Sequence, residues 1–258
     1  DETVKDREWF SQTMGFAPRE SEEPLDRSPQ ELTLAAWDVC RQRLEPWPVT
    51  LTRMSATASL PGLEHARDII DQYEQAKRLD NRLDFTDLLG RFAGVAFRHA
   101  DSGHGDTEPP GWLPGLESLI IDEAQDNSAL MDRCLRRLAD DSRYAVIAGD
   151  PFQSVFQFAG SDSSLFQAWD REKYEIMPQS HRCPAPVLAL GERCLTRCSD
   201  YWDRGIKPAD HAGEVTTGDL YTEMSRVNGG ETTLLLARTN FQLRKFHGHL
   251  KDSGIPYV

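Results

Sequence analysis

Apolar residues recur at helical spacing through the first third of this chain, then give way to short, continuous apolar runs. Val4 to Met14, with Trp9 and Phe10, predicts a short helix, and an acidic, Pro-containing loop follows to about Pro24. Leu32, Leu34, Ala36, Val39, Cys40 and Leu44 stripe a better amphipathic helix over 31–44, which Pro46 and Pro48 end. Ile69, Ile70, Tyr73, Ala76 and Leu79 mark one side of a charged helix from Leu63 to Arg82. Asp84 reads as the N-cap of a helix through Phe97, with Asp87 in its acidic first turn. The stretch 100–114, rich in Gly, Pro, Asp and His, reads as a surface loop, with His99 and His104 as bystanders.

The run Leu119-Ile120-Ile121 ends abruptly in Asp122-Glu123-Ala124-Gln125-Asp126, which predicts a buried strand carrying acids at its C-terminal tip. Open parallel α/β sheets bind ligands at that edge. Asp122 there would hold a divalent cation and Glu123 would orient an attacking water, the two tasks of nucleoside triphosphate hydrolysis. A lone Asp-Glu pair is as readily a solvated turn, but a second run ends the same way. Tyr144 to Ala148 leads into Gly149-Asp150-Pro151-Phe152-Gln153-Ser154. Between them, Leu130, Cys134, Leu135 and Leu138 give 128–140 a helical stripe. Strand, helix and strand form a right-handed crossover in nearly every parallel sheet, so the two tips are expected side by side. Gly149 would allow a tight turn, and Gln153 would offer an uncharged amide to a terminal phosphate.

Downstream, Tyr174 to Met177 predicts a strand and 186–198 a helix. Glu214 to Thr217 and Thr232 to Ala237 predict further strands, and Phe241 to Leu250 a helix before Ile255-Pro256-Tyr257-Val258.

IIDEAQD followed by GDPFQSVFQFAGSD resembles motifs II and III of the UvrD/Rep/PcrA branch of superfamily 1 DNA helicases. Met177 to Pro184 resembles motif IV, Leu234 to Asn240 motif IVa, and Leu83 to Leu89 the segment just before motif II. These five matches, in the family's order, cover roughly Leu79 to Val258. The resemblance implies an α/β fold with parts of two RecA-like P-loop NTPase lobes and a helical insertion at the N-terminal end. It divides the chain into a 1B-like insertion (1–82), the later part of lobe 1A (83–171) and the earlier part of lobe 2A (172–258).

Function follows from the same resemblance: ATP and Mg2+ as cofactors, and 3′ to 5′ translocation on single-stranded DNA with duplex unwinding, in repair or replication. Asp122, Glu123, Gln153 and Arg182 would carry the chemistry, Asp122 as the Mg2+ ligand. His181 would stack on adenine, and Arg182 would reach the terminal phosphate when the lobes close. Phe156 and Phe158, at strand spacing, would stack on bases, and Arg238 and Asn240 would lie by the DNA backbone. The usual Arg after the second aromatic is Ala159 here.

No G-x-x-x-x-G-K-[ST] occurs, and the family's late motifs are missing too, so the chain is expected to be an internal piece that alone does not hydrolyse ATP. Other readings are the helicase part of an AddA/RecB-like helicase-nuclease, or a non-catalytic adaptor that keeps the fold for protein contacts.

Composition narrows the classes. No apolar stretch is long enough to span a bilayer, and five cysteines fit neither a disulfide framework nor a convincing zinc pattern, so a reducing cytoplasm is the simple inference. Cys194 and Cys198, with Cys183 and His181 nearby, read as buried or half-buried thiols rather than ligands. A net charge of −13 argues against a charge-driven polyanion binder. Aromatic stacking is the grip that this charge leaves open.

Overall fold

The computed structural model describes residues 2–15, 28–55, 60–97, 104–169, 174–219, 222, 233–237 and 240–255. Its contacts divide the chain into two compact units, Asp1–Asp170 and Arg171–Val258. Helices and strands mix in the manner of an α/β protein.

The first unit opens with α1 (Glu2–Met14) and α2 (Pro29–Arg43). Ser28 caps α2 with a full capping box: its hydroxyl accepts from Glu31 N, while the Glu31 side chain accepts from Ser28 N. Such reciprocal bonds satisfy two backbone donors that no helix can pair internally. Pro48 does not end the helical region. It sits in the first turn of α3 (Trp47–Ser55), where a missing N–H costs nothing. Trp37, Ala36 and Cys40 of α2 pack on Trp47 of α3 and on Ala66 and Ile70 of α4 (Leu63–Leu79). The two indoles meet edge to face, with centroids 6.2 Å apart. Leu79, expected on the apolar side of α4, is exposed at the helix end.

Asp84 caps α5 (Phe85–Ala93), as its position suggested, but the helix stops short of Phe97. Gly94 adopts the left-handed conformation at φ 69°, and Val95–Phe97 becomes strand β1. β1 pairs antiparallel with β2 (His104–Asp106), inside what read as loop. His104 is therefore no bystander. Its Nε2 lies 3.0 Å from the Glu45 carbonyl and 3.3 Å from that of Cys40, both acceptors, so this nitrogen carries the proton. Burial pushes its pKa below the ordinary histidine value. Phe97 touches both this core and a second one of Ala93, Val95, Leu130 and Cys134, and so joins the two.

β3 (Ser118–Ile121) and β4 (Tyr144–Ile147) run parallel in register, Ile121 opposite Ile147, with α6 (Ala129–Asp140) as the crossover. The expectation of a buried strand fails for β3. Ile121 is buried, but Ile120 is 76% exposed, because β3 and β4 form a two-stranded sheet and its other face leaves Ile120, Tyr144 and Val146 exposed. The short helix α7 (Ser163–Gln167) closes the unit.

In the second unit, β5 (Gln179–Pro184) leads into α8 (Ala185–Leu195) and pairs parallel with β6 (Lys207–Ala209). The strand is thus the polar segment Gln179–Pro184 and not the more apolar Tyr174–Met177, since partner hydrogen bonding decides which residues are strand. Glu214–Thr217 and 233–237 form no strand for the same reason, and Thr232 lies outside the described residues. Helix α9 (Asn240–Asp252) spans the expected Phe241–Leu250, while 256–258 lie outside the description. Cys194 and Cys198 are exposed rather than buried. Among the described residues, no helix is long and apolar enough to cross a membrane and no three His, Cys, Asp or Glu side chains gather as a metal cluster.

Candidate nucleotide and nucleic-acid site

The β3–β4 pairing places the two acidic strand ends beside each other. Ala148 N donates to Ile121 O at 2.8 Å, and Ala124 N donates across to Ala148 O at 3.0 Å, so the ladder continues past both strands. Asp122 lies directly after β3, exposed, with its Oδ1 accepting from Glu123 N at 2.9 Å. Glu123 is also exposed and sits in the left-handed region at φ 52°, ψ 37°. That conformation costs a non-glycine residue on the order of 1 kcal/mol and persists only where surroundings impose it.

Backbone bonds flank it, Ala124 N to Ala148 O and Asp126 N to Glu123 O, each at 3.0 Å. The Gln125 side chain, 1% exposed, donates from Nε2 to Glu123 Oε2 at 2.6 Å and accepts at Oε1 from Asp150 N at 2.9 Å. One buried amide therefore ties the carboxylate of one strand tip to the backbone of the other. Asp150 extends the tie: its Oδ1 accepts from Phe152 N, and its Oδ2 accepts from Gln153 Nε2 at 2.8 Å. Glu123, Gln125, Asp150 and Gln153 thus form one hydrogen-bonded chain across the edge. Gly149 is small for a reason other than turn geometry, since a Cβ there would fall 2.7 Å from Gln125 Oε1. The Gln125→Leu variant should lose roughly 1–3 kcal/mol, because it leaves the part-buried Asp150 N–H without its acceptor. Thermal denaturation of the chain measures that loss, and an unchanged Tm would remove Gln125 from this role.

Phe156 and Phe158 lie on the same side of the chain's next turns, with centroids 6.1 Å apart and planes inclined by 48°. They are not on a strand. Phe156 precedes a 3-10 turn, Gln157–Ala159, which ends at Gly160 with φ 105°. Both rings face solvent, Phe158 at 76% exposure. Helix α2 braces this turn from far away in sequence. Arg43 donates to the carbonyls of Gln157 and Ser161 at 3.5 and 3.4 Å, and Gln42 Oε1 accepts from Ser128 Oγ at 2.7 Å. Nothing in the spacing of residues signalled that contact.

The remaining expected site residues are elsewhere. His181 and Arg182 are exposed on β5 of the second unit, where the Arg182 carbonyl meets His211 Nε2 at 3.2 Å. Arg238 lies outside the described residues, and of Asn240 only the backbone, at the start of α9, is described. The structure therefore brings Asp122, Glu123 and Gln153 to one edge and the two phenylalanines to one surface.

Edge and surface both fall inside a family match. Residues 19–174 match the model of the UvrD/REP helicase N-terminal domain. The chain is 22% identical over 135 residues to the "Probable DNA helicase II homolog" of Mycoplasma genitalium, covering 50% of this chain and 18% of that protein. It is 21% identical over 213 residues to the "Putative ATP-dependent DNA helicase YjcD" of Bacillus subtilis, covering 74% and 27%. Against an ATP-dependent helicase/nuclease of Staphylococcus carnosus it is 30% identical over 103 residues, 39% of this chain and 8% of the relative. The chain thus spans under a third of the length of each of these relatives.

Proposed function

Because this chain belongs to the UvrD/REP helicase N-terminal domain family, we propose that it supplies the hydrolytic edge and a strand-binding surface of an ATP-dependent DNA helicase. The observation that carries the reading is Glu123. Its backbone is left-handed and a buried amide bonds its exposed carboxylate, and backbone strain of this kind concentrates at functional sites.

In this reading Glu123 orients and deprotonates the attacking water. The Gln125 amide, fixed by Asp150 N, sets the carboxylate's direction before substrate arrives. Asp122 fits Mg2+, an ion usually bound through one or two protein carboxylates with the rest of its shell from water and phosphate. When bound, the ion neutralises charge on the leaving phosphates. Gln153, tethered to Asp150, senses the terminal phosphate as an uncharged donor, and its tether passes that state back to Glu123 through Gln125. The roles of Arg182 as a phosphate contact and of His181 as an adenine-stacking group rest on the family resemblance. The cofactors are ATP and Mg2+. The 3′ to 5′ direction, the repair role, the lobe assignment 1–82, 83–171 and 172–258, and the DNA-backbone roles of Arg238 and Asn240 rest on the family resemblance.

Phe156 and Phe158 give single-stranded DNA a stacking platform, which suits a chain whose net charge is −13. Stacking contributes about 1–3 kcal/mol per base and accepts any sequence. Phe158→Ala should therefore weaken single-strand binding about fivefold or more, with little change in Tm because the ring is exposed. Fluorescence anisotropy and thermal melting of the same variant test this. Unchanged binding would remove Phe158 from the platform.

A further inference from the structure

The last turn of α2 puts two adjacent side chains, Gln42 and Arg43, against the aromatic turn and the residues that follow the acidic strand end. Arg43 donates from one Nη to the carbonyls of Gln157 and Ser161, at either end of that turn. Gln42 uses both ends of its amide, accepting from Ser128 Oγ at 2.7 Å and donating to Thr86 Oγ1 at 3.2 Å. Ser128 in turn pairs with Ser161 through an isolated β-bridge. The fit is close: a Cβ on Gly160 would fall 3.1 Å from Gln42 Cβ and 3.5 Å from Arg43 Cγ. The turn also closes on itself, Ala159 N and Ser161 N both donating to Phe156 O, at 2.9 and 3.3 Å. Arg43 is itself held, since its Nε lies 3.7 Å from Glu45 Oε2, and Glu45 takes two bonds of 2.6 Å from Arg53. Phe156 and Phe158 are both exposed, so packing does little to fix either ring. Their spacing and tilt follow from the backbone of the turn, and so from what holds that backbone.

We propose that Arg43 is a positioning residue for strand binding: through the Gln157 and Ser161 carbonyls it anchors the aromatic turn to α2, so that Phe156 and Phe158 meet the strand already arranged. A surface that must order itself on binding binds more weakly than one arranged beforehand. The competing role for a cation beside such a turn is direct contact with a strand phosphate. Arg43 suits that role poorly, because its side chain is only 23% exposed and already serves two carbonyls and a carboxylate. The proposal rests on the strand-binding reading above and adds to it a residue that touches no base.

A double-mutant cycle on the chain tests this, read by fluorescence anisotropy with oligothymidylate at low salt. Arg43→Ala alone should weaken binding about threefold to tenfold. With Phe156 and Phe158 both replaced by alanine, the same change should alter affinity by less than about twofold, because a brace then has no rings to position. The slope of log affinity against log salt should keep its wild-type value in Arg43→Ala, whereas loss of a phosphate contact would reduce it by about 1. Arg43→Lys, which keeps a cation and its donors, should fall between wild type and Arg43→Ala. A melting transition well above the assay temperature establishes that Arg43→Ala folds, and Arg43→Met carries the same cycle if it does not. Equal losses with and without the two rings, or a reduced salt slope, would make Arg43 a direct contact and overturn the proposal, as would wild-type affinity in Arg43→Ala. A wild type that binds no better than the chain without its two rings would instead overturn the strand-binding reading itself.

Discussion

Glu123→Gln, in a polypeptide that joins this chain to a phosphate-binding loop, should retain ATP binding while DNA-stimulated hydrolysis falls by about 10²–10⁴-fold, the usual contribution of a positioned general base. The substitution is close to isosteric. Glutamine keeps an oxygen that accepts from Gln125 Nε2, and it tolerates the left-handed backbone as well as glutamate does. What it loses is basicity at the one position where the water would be deprotonated. Fluorescent-nucleotide titration and phosphate release, measured on the same preparation, separate the two effects. Turnover within a few fold of wild type would remove Glu123 from catalysis. Weakened nucleotide binding with unchanged turnover would instead make it a ligand for the nucleotide.

The strand ends were legible because covalent sequence alone dictates them. An apolar run interrupted by adjacent acids, twice, with an amphipathic helix between, leaves few topologies, and β3, α6 and β4 adopt the expected one. The capping role of Asp84 was legible for the same local reason, whereas that of Ser128 was not read from its position. What sequence could not give was set by distant contacts. The end of α5 depends on Gly94, and β1 forms only because β2 pairs with it across residues that read as loop. β5 is polar along much of its length, so hydrophobic periodicity pointed to Tyr174–Met177, while pairing with β6 selected Gln179–Pro184. In the site, Glu123 and Asp122 were visible as charge at a strand tip. Gln125 was visible only as a letter in a motif; its burial and double hydrogen bond require the second strand to be in place. The brace from Arg43 and Gln42 spans more than eighty residues, and no local pattern encodes it.

Arg41→Met should destabilise the first unit by about 3–5 kcal/mol at neutral pH, the usual consequence of removing one partner from a buried charge group. The helices that support the site meet around that group. Arg41 of α2 and Lys77 of α4 have side chains only 3% and 4% exposed, and four carboxylates surround them. Arg41 reaches Asp84 at 2.8 Å, Asp38 at 3.1 Å and Asp87 at 3.3 Å; Lys77 reaches Asp87 at 2.7 Å, Asp84 at 2.9 Å and Glu74 at 3.0 Å. Tyr73 OH also donates to Asp84. Burial alone would raise the Asp84 pKa, but Arg41 and then Lys77 overcome it and bring it from 3.8 down to about 2. A carboxylate with a depressed folded-state pKa contributes stability that is complete above its unfolded value and is lost as pH falls through the folded one. That contribution therefore disappears from about pH 4 toward pH 2. Methionine fills much of the arginine's volume against Trp37 and Phe97, so packing changes less than charge. With Arg41 gone, Lys77 alone faces Glu74, Asp84 and Asp87, and their repulsion is relieved by protonation. The stability gap between wild type and variant should thus be widest near neutrality and narrow steadily below pH 4. At roughly 2–4 °C per kcal/mol for a unit of this size, the neutral-pH loss corresponds to a Tm decrease of about 6–20 °C. Calorimetric scans across that pH range decide the matter, because a gap independent of pH would assign Arg41's contribution to packing alone and leave the charges without a role in joining α2, α4 and α5.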